Sequence, residues 1–345
     1  SCNKKLFKGL ALENTWNWDR PAPVINISFG GGVIKNRGEL ETDILFQLKR
    51  ISESEGLQTG NDRANLWFRE LITSLAAKHH EKVVVLIDEY DKPILDNITD
   101  PDAAREIREG LKNFYSVIKD SDAYVKFCIL TGVSKFSKVS LFSGLNNLQD
   151  LTLDSRYATI CGYTQHDLET VFVEHLPGVD LDELKRWYNG YSFVGDPVYN
   201  PFDVLLYLDQ KKFKNFWFET GTPTFLIDLL SQKQFSVPRL ENLIVDESLL
   251  GKFDVEQIEL EALMFQTGYL TIKEQKQVGG AIMYELTLPN LEVKMSFTDC
   301  ILDYLCSVPS EKSLGKQKLF QALSTGTPSS FQEIFHSFFA SIPHD

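Results

Sequence analysis

The sequence predicts an α/β fold, a parallel sheet with helices on both faces, followed by a helical region and a smaller helix-and-hairpin module. Three observations point there. Val83-Val84-Val85-Leu86-Ile87 is an unbroken apolar run of strand formers bounded by Lys82 and Asp88, the mark of a central parallel strand covered on both faces. Strand-like segments lie before and after it, and amphipathic stretches of helical period separate them. Strand, helices, strand, helix, strand is the order that builds a doubly wound sheet.

Pro23-Val24-Ile25-Asn26-Ile27-Ser28-Phe29 alternates apolar and polar residues and stops at Gly30-Gly31-Gly32, as a strand does where it enters a loop. Apolar residues then recur at Leu40, Ile44, Leu45 and Leu48, predicting a helix from Glu39 to about Ser54, and at Leu66, Phe68, Leu71, Ile72 and Leu75, predicting another from Ala64 to Lys78. A third helix is expected over about Asp102–Lys119, and Tyr124–Leu130 reads as the next strand, closed by Thr131-Gly132. Past Ala158 the pattern turns to helices with aromatic loops, at Gln165–His175, Asp180–Tyr188, Pro201–Asp209 and Thr222–Leu230. From about Pro238, helical patterns around Leu243 and over Ile258–Phe265 lead into two short strands, Tyr269–Ile272 and Ala281–Leu288, parted by Val278-Gly279-Gly280. Helices leading into a hairpin read as a winged helix-turn-helix. A last amphipathic helix is expected through Phe331–Ala340.

The chain has 345 residues, 43% of them hydrophobic, enough to bury more than one core. A formal charge of -13 argues against a surface that attracts nucleic acid or anionic membrane as a whole. The five cysteines are scattered and never form CxxC, so neither a disulfide framework nor a zinc knuckle is indicated, and a reducing cytoplasm fits. No apolar run approaches the roughly 20 residues of a spanning helix.

The sharpest chemical signal is the pair Asp88-Glu89 at the end of the apolar strand. Ligands of open α/β sheets bind at the carboxyl edge of the strands. In P-loop NTPases this arrangement lets the first acid hold Mg²⁺, often through water, while the second polarises the attacking water. That chemistry assigns Asp88 to the metal and Glu89 to the base; the plainer alternative is a buried strand that ends in solvated acids. The next strand ends in Thr131-Gly132-Val133-Ser134-Lys135, so Thr131, Ser134 and Lys135 are sensor-like candidates if the two strands are neighbours, against the alternative of a polar loop capping a helix. A phosphate loop needs GxxxxGK[ST] between a strand and a helix. No such string occurs, and Gly30-Gly31-Gly32-Val33-Ile34-Lys35 misses its spacing.

Other candidates are weaker. The six histidines make no metal-ligand spacing, and the aromatic clusters at Trp16 and Trp18 and at Trp187, Tyr188 and Tyr191 read as packing more readily than as base stacking. Between Val237 and Pro309 five basic residues face twelve acidic ones. A net charge of -7 there opposes phosphate contact and disfavours nucleic acid as a partner of the winged module.

Taken together, the motifs resemble the AAA-ATPase-like family of bacterial proteins that usually carry a C-terminal PD-(D/E)xK nuclease-like domain. The matching stretches are Lys5-Leu6-Phe7-Lys8-Gly9-Leu10, Leu86-Ile87-Asp88-Glu89-Tyr90-Asp91-Lys92-Pro93, Leu130–Phe136, Phe142–Leu148, Trp187-Tyr188-Asn189-Gly190-Tyr191, Tyr199-Asn200-Pro201-Phe202, Phe216–Pro223 and Phe265–Leu270. The resemblance implies a P-loop NTPase-like fold in which Asp88 and Glu89 form the acidic Walker B motif and Thr131–Lys135 the sensor-like region, with Mg²⁺ and ATP as cofactors of the full-length protein. It also implies an RRFGKS-like phosphate loop before Lys5 and a nuclease-like domain after Pro343. The expected organisation is an ATPase-like core over 1–157, a helical lid over 158–236, a winged-helix-like module over 237–309, and over 310–345 a linker with the first helix of the following domain. The expected function is a nucleotide-driven switch coupled to the nuclease-like domain, with ATP and a protein partner or a second copy of itself as partners. The alternative is a nucleotide-independent interaction scaffold that keeps the ATPase shape.

Overall fold

In the computed structural model, which describes residues 3–134, 141, 147–217, 243–250, 259–305, 317 and 321, the alternation around Ile25 becomes strand β1, Val24–Ser28, with Ile25 and Ile27 fully buried and their neighbours facing out. The chain divides into two compact units, Ser1–Gln149 with Gly251–Leu263 and Asp150–Leu250 with Met264–Asp345.

The first unit is built on a three-stranded parallel sheet of order β1-β2-β3, with β2 at Val83–Asp88 and β3 at Val125–Leu130. Parallel neighbours need crossovers, and helices supply them: α2 (Arg37–Ser54) and α3 (Ala64–His79) join β1 to β2, and α4 (Lys92–Leu95) and α5 (Pro101–Asp120) join β2 to β3. A short α1, Leu12–Thr15, precedes the sheet. Residues just ahead of two of these helices cap them. Asn36 accepts the Glu39 N–H at 3.0 Å while the Glu39 carboxylate accepts the Lys35 N–H at 2.8 Å, and Asp100 accepts the Ala103 N–H at 3.1 Å with Pro101 in the first turn. Each satisfies a donor that the first helical turn leaves open.

The apolar stripes of α3 and α5 meet at Phe68 and Phe114, whose rings stack 4.6 Å apart between Leu71, Ile72, Ile107 and Leu111. Each such side chain withdrawn from water contributes about 1.5–3 kcal/mol. The expectation that β2 is covered on both faces is met on one: Val83, Val85 and Ile87 are buried, whereas Val84 and Leu86 are half-buried. An apolar run shows that a strand tolerates burial, and the elements packed on it decide how complete that burial is.

In the second unit α6 (Gln165–Val171) opens with a capping box between Thr164 and Asp167. It stops at Phe172 rather than running to His175, and Val173–His175 forms a 3₁₀ turn. Helices α7 (Leu181–Tyr188) and α8 (Pro201–Gln210) follow, and their aromatic faces pack together: Tyr207 stacks on Phe213 at 4.4 Å and Trp187 on Phe213 at 5.5 Å. The aromatic loops are therefore core, as the packing alternative held. This region is not purely helical: β4 (Asn189–Tyr191) pairs antiparallel with β5 (Val198–Tyr199), and Tyr163 bridges to Tyr199. Strands of three and two residues are too short to leave a period in the sequence.

The segment around Leu243, expected as helix, is strand β6, Leu243–Asp246. It pairs antiparallel with β8 (Ala281–Thr287), which also pairs with β7 (Thr271–Val278), giving the order β6-β8-β7. Three apolar residues and one acid are too short a run to show a period, and the partner strand settles the choice. Gly279 and Gly280, both at positive φ, make the two-residue turn of the β7–β8 hairpin. Helices α9 (Glu247–Leu250) and α10 (Leu260–Gln266) precede the hairpin and α11 (Leu291–Leu305), which the periodicity did not announce, follows it. The expected helices at Thr222–Leu230 and Phe331–Ala340 lie outside the described residues. Among the described residues no helix is long and apolar enough to cross a membrane.

Candidate functional site at the carboxyl edge of the parallel sheet

The register Ser28↔Asp88 and Ile87↔Leu130 brings the ends of β1, β2 and β3 level. The ladder continues one step beyond the strands: Phe29 N–H donates to the Asp88 carbonyl at 3.1 Å, Thr131 N–H to the Ile87 carbonyl at 2.9 Å, and Tyr90 N–H to the Thr131 carbonyl at 3.0 Å. Three loops therefore leave the sheet side by side, carrying Gly30-Gly31-Gly32, Asp88-Glu89 and Thr131-Gly132.

Asp88 is exposed, and its Oδ1 accepts the Thr131 hydroxyl at 2.5 Å and the Glu89 N–H at 3.1 Å. Its Oδ2 takes no hydrogen bond among the described residues, so one oxygen is anchored and one points to solvent. Glu89 sits at φ +53, a left-handed backbone that a non-glycine residue adopts at a cost of order 1–3 kcal/mol and that clusters at functional positions. The turn aims its carboxylate at the glycine loop: a methyl group placed on Gly30 would stand 3.1 Å from Glu89 Oε1. Lys92, bonded to Asp96 at 2.5 Å, also donates to the Gly32 carbonyl at 3.1 Å and ties the same loop to α4. An open groove of about 720 Å³ is lined by Phe29, Gly31, Gly32 and Val33 of that loop and by Glu39 and Asp43 of α2.

Behind the exposed acids lies a buried one. Asp91, fully buried, accepts the Val133 N–H at 3.2 Å, the Ser134 hydroxyl at 2.6 Å and the Ser134 N–H. Burial pushes its carboxyl above the ordinary range, and the bonds from Ser134 and Val133 pull against that. Tyr90 donates to the Ser134 carbonyl at 2.6 Å and Tyr115 to the Tyr90 carbonyl at 3.0 Å. Gly132 passes so close to Asp91 and the Tyr90 ring that any Cβ there would overlap both. The loop after β3 is thus clamped onto the loop after β2.

Of the residues singled out in the sequence, Asp88, Glu89 and Thr131 come together at the open edge. Ser134 is buried and bonded to Asp91, facing away from that edge, and Lys135 lies outside the described residues. Asp91 and Tyr90 escaped the sequence reading. The available signal was the third acid in Asp88-Glu89-Tyr90-Asp91, in phase with a chain turning back under the sheet. Among the described residues no three His, Cys, Asp or Glu side chains cluster closely enough to hold a metal by themselves.

A parallel α/β sheet whose middle strand delivers adjacent acids at its carboxyl edge defines the class of this protein. Residues 1–142 match the model of the family described as Predicted AAA-ATPase, and that segment is similar to the AAA-ATPase-like family. It is also similar, at 50% identity over 345 residues and 99% of its own length, to a protein of Azotobacter chroococcum mcd 1 described as an uncharacterized protein in the vnfD 5′ region. The chain spans 66% of the length of that relative. No solved structure matches the chain.

Proposed function

We propose that the chain forms the acidic half of a Mg²⁺-dependent ATP site and that the full-length protein works as a nucleotide-driven switch, coupled to the nuclease-like domain that the family resemblance implies. The observation that carries this reading is the divided labour of the two acids: Asp88 is anchored through Oδ1 with Oδ2 open, and Glu89 is held by a strained turn above the glycine loop.

The donor set suits Mg²⁺, which keeps several waters and takes one or two carboxylates at a nucleotide site. When bound, the ion would supply charge to phosphate oxygens. Asp88 would hold it through Oδ2, directly or through water. Thr131 fixes the Asp88 carboxylate and so the direction of that open oxygen. Glu89 would orient the attacking water and take its proton at Oε1 or Oε2. Asp91 holds the Thr131–Ser134 loop in place from below.

Calorimetric titration of the chain with ATP and Mg²⁺, alongside Asp88→Ala, tests the site. Micromolar binding that the substitution abolishes supports the reading. Binding indifferent to the substitution, or no binding to the full-length protein, would leave the scaffold alternative, which the absence of GxxxxGK[ST] from these residues favours. In the full-length protein Glu89→Gln is expected to retain ATP and lose turnover.

A further inference from the structure

Stretches set aside as packing converge inside the second unit. Gly190, at φ +121, runs so close to the Pro289 carbonyl that no side chain fits there. This brings β4, which ends at Tyr191, against the start of α11. Trp217 N–H donates to Glu292 Oε1 at 2.8 Å. The Tyr191 hydroxyl lies beside Asn200, Asn290 and the carboxyls of Asp203 and Glu292. Both acids are fully buried.

Asp203 occupies the third position of α8, behind the Asn200 cap. In α6 the acid at that position, Asp167, returns to the cap and accepts the Thr164 N–H at 2.8 Å. In α8 the cap N–H is spent elsewhere, on the Tyr188 carbonyl at 3.1 Å. Neither oxygen of Asp203 accepts a well-formed hydrogen bond among the described residues. The group beside it is another acid, Glu292, and the nearby Trp217 N–H, which also acts on Asp203, makes its well-formed bond to Glu292. No lysine, arginine or histidine is among the described groups acting on Asp203. What faces it is Glu292 from α11, Tyr188 from α7 and Tyr191 from β4. Asn290, nine-tenths buried, caps α11 with its oxygen on the Val293 N–H at 3.0 Å, while its Nδ2 takes no partner among the described residues.

We propose that Asp203 and Glu292 form a carboxyl–carboxylate pair that holds one proton, and that this proton joins the first turns of α8 and α11 as a pH-sensitive latch. Two ionised carboxylates cannot share a dry site without a cation, and one proton removes a charge while supplying the donor that Asp203 lacks. The two carboxyls share the proton, and the Trp217 N–H holds Glu292 Oε1 in place. Burial raises the Asp203 carboxyl to about 6, and the neighbouring Glu292 and Trp217 backbone act in the opposite direction. Its folded value thus stands above its unfolded one. The latch is fully closed below the ordinary carboxylate range and is lost as pH rises through about 6.

The test is infrared difference spectroscopy and thermal unfolding of the full chain from about pH 5 to about pH 8, for wild type and Asp203→Asn. The expected result is a protonated-carboxyl carbonyl band in wild type that fades as pH rises and is absent from Asp203→Asn. The wild-type unfolding midpoint should also fall more steeply over this range than that of the variant. If Asp203→Asn does not fold, Glu292→Gln carries the same test, since its amide donates where the shared proton did and the band must vanish. Absence of the band from wild type, or midpoints that fall in parallel, overturns the latch. A wild-type midpoint at about pH 8 restored by Mg²⁺ or Ca²⁺, with no response in Asp203→Asn, also overturns it by showing that the pair holds a cation.

Discussion

The Thr131 hydroxyl donates to Asp88 Oδ1 at 2.5 Å across two neighbouring parallel strands, and that bond turns an exposed acid into an oriented one. A carboxylate free to rotate at a strand end offers a ligand no fixed oxygen; one pinned by a hydroxyl and a backbone N–H offers Oδ2 in a single direction. A bond of this kind contributes about 1 kcal/mol to stability when neutral groups make it and about 1.5–3 kcal/mol when one is charged. Thr131→Val keeps the shape and removes the donor. It is expected to weaken Mg²⁺-dependent ATP binding about tenfold, ~1.4 kcal/mol, and to cost no more stability than the about 1.5–3 kcal/mol that the bond contributes. Titration beside a thermal melt checks both halves.

Glu89 lies where stability and activity pull apart. Its left-handed backbone suits glycine, so Glu89→Gly is expected to stabilise the first unit by about 1 kcal/mol while abolishing ATP turnover in the full-length protein. Unfolding by denaturant reads the first effect and phosphate release the second. A destabilised variant would mean that the carboxylate, and not the backbone strain, dominates this turn.

Asp91 is the clamp behind the site. Asp91→Ala orphans three donors, Val133 N–H, Ser134 N–H and the Ser134 hydroxyl, and is expected to cost about 3 kcal/mol or more. Ser134→Ala removes one bond and is expected to cost about 1 kcal/mol. The folded carboxyl of Asp91 titrates above its unfolded value, so its contribution is full at acid pH and declines as pH rises through that raised value. The gap between wild type and Asp91→Ala should therefore be narrower at about pH 7 than at about pH 4. Denaturant melts at the two values measure it.

Two glycines of the site predict opposite outcomes. Gly132→Ala drives a methyl into the buried Asp91 and Tyr90, neither of which can retreat. An overpacking cost of about 1–3 kcal/mol is expected, visible as a lower melting point. Gly30→Ala meets only the end of the Glu89 side chain, at 3.1 Å, which rotates away cheaply. It should fold normally and lower turnover, because the carboxylate is displaced from its position over the loop.

Much of the first unit was legible because its elements are long and locally determined. The period-2 burial of Ile25 and Ile27 and the stripes of α3 and α5 follow from residues within a few positions of one another, whereas the caps at Asn36 and Asp100 went unread. The acid pair was legible because an apolar strand that ends in two carboxylates has few other local readings. In the second unit, β4, β5 and β6 are too short to carry a period, and pairing with distant residues such as Leu286 and Tyr199 decides them.

The sequence by itself determined where the helices and the central strand of the first unit run and which acids leave its carboxyl edge, because propensity, capping and hydrophobic period are local quantities. Only the tertiary structure decided that Thr131 reaches Asp88, that Ser134 turns inward to Asp91, and that Asp203 meets Glu292. Those relations depend on strand register, backbone sign and burial across separations of more than 40 residues, where a side chain's partner is fixed by how distant segments pack and not by its neighbours in the chain.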